Sequence, residues 1–185
     1  MSLSLQSALE RHRMKHLVEL EMRPKRLGTI AGFVMNSSDE LILLHRLEKD
    51  TFRLNGYCVV REKMVGRYRV FDSPQYWQFR ATKQLGLKPT QPRQISLIAL
   101  PASLRSIAKS YPLLTVHREK INPEGCYIGR LRNLNEETFT IEDLDSNAEW
   151  TGPRRMKLND VTRVDFGGGY ENALALTAPK FPATT

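Results

Sequence analysis

Short runs of alternating apolar and polar residues fill most of this chain, and period two outweighs the helical period. Residues 29–35 put Ile30, Gly32 and Val34 on one side of a strand, where a glycine among aliphatics marks sharp curvature or a close backbone approach. The polar run N-S-S-D-E from Asn36 turns the chain, residues 41–47 return, and Lys49-Asp50 turns it again. Residues 52–54 read as a short strand, Asn55-Gly56 as a tight hairpin turn, and residues 57–61 and 64–71 as two further strands. Ahead of this block, Leu5 and Leu9 sit at helical spacing, whereas L-V-E-L-E-M from Leu17 alternates up to Arg23-Pro24. A short helix to about Lys15 followed by a strand is expected. Behind the block, Asp72-Ser73-Pro74 offers an N-cap and a helix-starting proline. Trp77, Ala81 and Leu85 then repeat every four residues to a stop at Gly86.

The pattern resumes after the proline-containing stretch K-P-T-Q-P-R-Q from Lys88. Residues 95–100 form an apolar run of no defined type, and Ser103 is expected to cap a helix ending near Ser110. Strands are expected at residues 113–118, 126–132, 138–144, 155–158 and 161–166, with a long turn before the fourth. Three glycines from Gly167 end the last strand, and the tail from Pro179 is expected to be disordered.

Two stretches of this pattern repeat each other. Gly32 matches Gly129, Val34 matches Leu131, Asn36 matches Asn133, Glu40 matches Glu137 and Leu47 matches Leu144. V-G-R-Y-R-V from Val65 meets V-T-R-V-D-F from Val161 after a one-residue slip. Such self-similarity predicts two copies of one small β unit. The first is placed at residues 1–87 and the second at 102–178, with 88–101 as linker and 179–185 as tail. Units this small build only marginal cores, so packing against each other or a second chain is expected.

A helix leading into about five short, bent strands, at residues 17–71 and again at 114–166, resembles the Sm-like, SH3-type small barrel. The resemblance implies a mainly β fold of two tandem small barrels with short flanking and connecting helices. Members of that family often bind RNA and assemble into rings. Their first motif has Gly, then a hydrophobic residue two later, an acidic residue six later and Asn ten later. Gly129 and Leu131 fit, but Asn135 and Phe139 follow, and the first copy has Ser38 and Ile42 at those places. The base-contacting Asn is thus missing from both copies, and the second motif is echoed only by Arg163 and Gly167. The resemblance speaks for the barrel more than for RNA.

Composition excludes little. Hydrophobic residues at 41% and charged residues at 26% describe an ordinary globular chain. The N-terminus lacks the order of a signal peptide and no apolar run reaches a membrane span, so a cytoplasmic protein without membrane contact is expected. Cys58 and Cys126 fall in expected strands and read as buried free thiols. Charge changes the picture more. Residues 1–93 carry 17 Lys and Arg against 9 Asp and Glu, whereas residues 94–185 carry 11 of each, so the net +8 lies in the first half. Scattered basic residues of this kind serve solubility, or an anionic partner.

Catalytic chemistry has little to stand on. His12 and His16 are one helical turn apart but lack the Glu of an H-E-x-x-H array, and read as a solvated basic face. His45 and His117 read as surface or half-buried histidines. Asp39-Glu40 and Glu136-Glu137 occupy turns where carboxylates are solvated, and Glu142, Asp143 and Asp145 extend an acidic patch on the second copy. Gly167 to Gly169 lacks the Lys-Ser/Thr of a phosphate cradle. No catalytic residue, metal, cofactor or small-molecule substrate is expected. The candidate anion face consists of Arg23, Lys25, Arg26, Arg61, Lys63, Arg67 and Arg69, with Tyr57, Tyr68, Tyr76 and Trp77 as aromatics able to stack on bases. Arg154, Arg155 and Lys157 make a smaller basic edge. The expected function is a non-enzymatic protein-interaction or assembly module, with a protein partner or self-association through a strand edge or the Trp77 helix. The alternative is binding of RNA or single-stranded nucleic acid by the basic face of the first unit.

Overall fold

The computed structural model describes residues 5–182 and is mainly β, with a few short helices. The chain divides into two compact units, one ending at Arg93 and the other beginning at Gln94. The first unit runs α1 (Leu5–Glu10), β1 (Leu17–Met22), β2 (Thr29–Ser37), β3 (Leu41–Glu48), β4 (Arg53–Arg61), β5 (Val65–Phe71) and α2 (Trp77–Gln84). Its strands are antiparallel in the order β5-β1-β2-β3-β4. The second unit runs α3 (Leu100–Ser110), β6 (Leu114–His117), β7 (Cys126–Leu134), β8 (Thr138–Leu144), β9 (Trp150–Lys157), β10 (Arg163–Phe166) and α4 (Gly169–Thr177). Its order is β10-β6-β7-β8-β9. A one-turn 3₁₀ helix joins the fourth and fifth strands in each unit, Glu62–Met64 and Leu158–Asp160.

Neither sheet closes on itself, which corrects the expectation of small barrels. Closure would need the fifth strand to pair with the fourth, and within each unit these lie at opposite ends of the order. The fifth strand instead commits one edge to the whole length of the first, from Leu17 opposite Phe71 to Met22 opposite Val65. Bulges and glycines bend the strands without bringing the outer two together.

The close backbone approach expected at Gly32 is present. Gly32 lies opposite Arg46, and a Cβ there would run into the carbonyl oxygen of His45. Gly129 lies opposite Asp143, and a Cβ there would run into the carbonyl oxygen of Glu142. Each strand then bulges at the same step, between Val34 and Asn36 and between Leu131 and Asn133. The turns close alike. Glu62 N–H donates to Glu40 O and Leu158 N–H to Glu137 O, both at 2.8 Å. The five residue pairs matched in sequence therefore occupy matching register positions.

The first unit's core gathers Val18, Leu20 and Met22 with Ile30, Val34, Ile42, Leu44, Cys58 and Val60, under Leu9 of α1. In the second, Leu114, Val116, Ile141, Val164 and Phe166 are buried with Leu104 and Ile107 of α3. A separate cluster there places Leu113, Ile128, Leu144 and Ala148 against Leu174 of α4.

Several local expectations are corrected. Helix α1 ends at Glu10 because Met14 turns left-handed (φ 55°) and donates its N–H to Val34 O. Asn55-Gly56 lies inside β4. Gly56 has φ 66° where the pairing shifts opposite His45 and Leu47, so the pair forms a bulge and the hairpin turn occupies residues 49–52. Asp72-Ser73-Pro74 makes a separate turn, with Tyr76 N–H on Ser73 O, before α2 begins at Trp77. That helix stops as expected: Gly86 (φ 61°) donates to Lys83 O and Leu87 to Thr82 O, the Schellman pattern. Ser103 lies within α3, its Oγ donating to Ser96 O at 2.6 Å, and Ala99 is the N-cap. Strand β9 starts earlier than expected, at Trp150, and accommodates Pro153 because β9 is an edge strand of its unit. Residues 179–182 are packed: Trp150 Nε1 donates to Pro179 O at 3.0 Å, and Phe181 sits edge-on to Trp150 at 5.2 Å. The rest of the expected tail, residues 183–185, lies outside the described residues. Cys58 is buried as expected, whereas Cys126 is exposed, and neither is in a disulfide. Among the described residues no helix is long and apolar enough to cross a membrane.

Candidate anion-binding face and the groove beside Trp77

The strand pairing decides what the basic face can do. Arg67 and Arg69 are exposed on β5, but Glu21 and Glu19 stand directly opposite them on β1. Arg23 folds back over β5, its Nη2 donating to Gly66 O at 3.4 Å. Lys25 and Arg26 follow in the exposed one-turn helix Lys25–Leu27, and Lys63 is exposed in Glu62–Met64. Arg61 lies opposite Leu41 and is half-buried, which pulls its pKa below the ordinary value despite nearby Glu40. The structure thus gathers Arg23, Arg67 and Arg69, interleaves them with two carboxylates, and turns Arg61 partly inward. Cross-strand pairs of opposite charge stabilise a sheet by roughly 0.2–1 kcal/mol each and lower the potential offered to a polyanion.

The aromatics are differently engaged. Tyr57 stacks on His45 at 4.5 Å between centroids, and its hydroxyl lies 3.1 Å from Thr90 O. Tyr76 packs edge-on against Phe71 at 5.4 Å. Tyr68 is 42% exposed on β5, and Trp77 is 56% exposed, 5.3 Å from Phe52.

Matching positions of the second unit carry a buried network. There Thr115 stands opposite Asp165 and His117 opposite Arg163. His117 Nε2 lies 3.1 Å from Asp165 Oδ2, and Arg163 forms an ion pair with Asp165, Nε to Oδ1 at 3.0 Å. Arg163 Nη1 lies 3.6 Å from Glu119 Oε1, whose other oxygen accepts from Thr162 at 2.7 Å. Thr115 donates to Glu171 of α4 at 2.7 Å. The expected acidic patch is likewise largely internal. Glu142 and Asp143 are buried, the first paired with Arg132 and the second with Arg154 at 2.6 Å. Asp39, Glu40, Glu136 and Glu137 are exposed at their turns.

Sequence reasoning missed a groove of about 150 Å³ in the first unit, lined by Leu17, Ala31, Leu47, Phe52, Phe71 and Trp77. A Lys49–Glu19 ion pair of 2.8 Å borders it. The available signal was Phe52, an aromatic at a turn, followed by Trp77 at the start of a helix whose pattern is only weakly amphipathic.

The histidines are engaged with neighbours. His12 and His16 meet through their Nδ1 atoms at 3.1 Å, and no group of three or more His, Cys, Asp or Glu among the described residues is placed to hold a metal. His45 is buried. Thr90 N–H donates to its Nδ1 at 3.1 Å, which fixes that nitrogen as an acceptor and the ring as neutral. Burial holds its pKa below the ordinary 6.5, and His16 is shifted the same way. The unfolded chain therefore binds protons first as pH falls. The stability these rings contribute is present above pH 6.5 and is lost as pH falls from there toward their folded pKa values. Thermal melts should give a lower Tm at about pH 5.5 than at about pH 7.5. His45→Gln, which keeps an acceptor for Thr90 N–H, should narrow that gap.

Comparison with known proteins finds no matching family model, curated protein or solved structure.

Proposed function

We propose that this chain is a non-enzymatic protein-interaction module whose first unit takes an aliphatic side chain from a partner helix into the groove beside Trp77. One observation carries the reading. In the second unit, Leu113, Ile128 and Leu144 form an apolar floor covered by Leu174 of α4. Leu17, Ala31 and Leu47 hold the matching places in the first. Ala31 lies opposite Leu47 and directly precedes Gly32, as Ile128 lies opposite Leu144 and directly precedes Gly129. Helix α2 follows β5 as α4 follows β10, yet α2 buries none of its residues, whereas α4 buries Glu171 and Leu174. Alanine in place of isoleucine, and a helix that brings only Trp77 and Gln78 to the rim and buries neither, leave a groove over the floor. An aliphatic side chain from a partner would bury there what Leu174 buries in the second unit, about 1.5–3 kcal/mol for one side chain.

The preceding helix, the five bent antiparallel strands and the matching glycine, bulge and turn of each unit support a duplicated Sm-like unit whose sheet stays open. The nucleic-acid reading is the poorer fit, since the strand bearing Arg67 and Arg69 faces Glu21 and Glu19.

Fluorine NMR of the full chain labelled with fluorotryptophan tests the groove, using a capped peptide with the sequence of Gly169–Thr177 as the probe helix. Excess peptide should shift the Trp77 signal saturably and leave Trp150 unmoved. Ala31→Leu, which fills the floor from below, should abolish the shift and stabilise the unit by about 0.5–2 kcal/mol. A Trp77 signal indifferent to the peptide, or one that shifts equally in the Ala31→Leu protein, would sink the proposal.

A further inference from the structure

A second cavity of the first unit, about 500 Å³, converges four basic side chains, Lys15, His16, Lys83 and Lys88, over an apolar wall that includes Phe33 and Leu87. Three separate segments build it. The turn after α1 is pinned to β2 by Met14 N–H on Val34 O at 2.8 Å, which sets Lys15 and His16. The last turn of α2 supplies Lys83, with Nζ over the Phe79 ring at 5.7 Å. The Schellman closure, Leu87 N–H on Thr82 O at 3.0 Å, carries the chain on to Lys88.

No carboxylate lines this cavity, and among the described residues no ion pair engages Lys15, Lys83 or Lys88. Cations gathered in one cavity repel one another, which His16 registers in small part. Burial lowers its proton affinity most, followed by His12; Asp72 opposes them, ahead of the smaller lowering effects of Lys83 and Lys15. An anion in the cavity would relieve that repulsion, and lysines serve as point-charge partners for phosphate.

We propose that this cavity binds a small phosphorylated organic molecule, its phosphate held by Lys15, Lys83 and Lys88 and its apolar body resting against Phe33 and Leu87. The site is independent of the groove beside Trp77 and stands or falls separately. The sequence hid it because its cations come from three places, each reading as ordinary surface charge. Bound phosphate offsets the repulsion at His16, so the ring must titrate higher in the complex than in the free protein.

Isothermal titration of the full chain with adenosine monophosphate, adenosine and inorganic phosphate, at about 50 mM salt where phosphate contacts are least screened, tests it. Adenosine monophosphate should bind saturably and more tightly than either of the other two. Lys83→Glu and Lys88→Glu should each weaken it about tenfold or more, as expected when a phosphate contact reverses sign. The double reversal Arg67→Glu with Arg69→Glu, remote from the cavity lining, should leave the affinity unchanged. Lys83 and Lys88 are exposed, so their variants should melt like the parent, whereas the double reversal sets glutamates opposite Glu21 and Glu19 and should stay folded with a somewhat lower melt. In proton NMR, the His16 C2–H should titrate at higher pH with ligand than without. Absence of saturable binding overturns the proposal, as does equal binding of adenosine. An equal loss on reversing Arg67 and Arg69 also overturns it, since that marks diffuse attraction to a chain of net charge +8. Binding of short single-stranded RNA without binding of the mononucleotide overturns it too.

Discussion

Gly32→Ala and Gly129→Ala should each destabilise their unit by about 3 kcal/mol or more, the upper end of the cost of overpacking a close-packed interior. The methyl group has nowhere to go. At both positions it meets a carbonyl oxygen of the neighbouring strand, that of His45 or that of Glu142, and backbone within a ladder cannot rotate aside as a side chain can. The strands must separate, which strains the hydrogen bonds on both sides of the glycine. For a unit of this size the thermal midpoint should fall by about 12 °C or more. Gly86→Ala provides the control. Gly86 has φ 61° and nothing within 4 Å of an added Cβ, so the methyl costs only its left-handed backbone, about 1 kcal/mol. Circular dichroism melts of the three variants decide the matter. If Gly32→Ala costs no more than Gly86→Ala, the close approach of β2 and β3 is not what bends the sheet.

Those two glycines also mark where sequence reading succeeded. A glycine among inward-facing aliphatics has few physical explanations, and the matched residues Gly32 and Gly129 share register, bulge and turn. Strands β3 and β8 were legible because a short apolar-rich run bounded by polar turn residues on both sides is too short for a helix and reads as a strand. Closure was not legible, because no local pattern says whether the fifth strand returns to the fourth. Asn55-Gly56 misled because the same left-handed glycine that makes a hairpin turn also makes a bulge. Helix α4 escaped because it starts inside the glycine run, at Gly169 with Gly168 as its N-cap, where a break was the expected reading. The candidate site was harder still. Arg67 and Arg69 alternate as an exposed basic edge should, but only the pairing partners Glu21 and Glu19, far earlier in the chain, reveal that carboxylates face them.

The matching register makes Arg163 the sharpest probe of that balance. Arg67 lies opposite Glu21 on the first unit and Arg163 opposite His117 on the second, and both occupy the same place in their fifth strands. Their surroundings differ. Arg67 is exposed, and its replacement by Met should change stability by less than about 1 kcal/mol, the range of surface ion pairs. The Arg163 side chain is 15% exposed and bridges Asp165 and Glu119, whose side chains are 5% and 8% exposed. Arg163→Met would take the bridging cation away from two buried carboxylates, Asp165 and Glu119. Breaking a buried pair by removing one member costs about 3–5 kcal/mol, because the remaining charge stays desolvated and unbalanced. Adding Asp165→Asn to Arg163→Met removes one of those charges and should recover part of the loss, so a triple comparison in urea separates lost packing from lost charge. Equal costs for Arg67→Met and Arg163→Met would mean that α4 and the network beneath it do not exclude water. The second unit's floor would then be as open as the groove beside Trp77, and the contrast on which the partner-binding proposal rests would disappear.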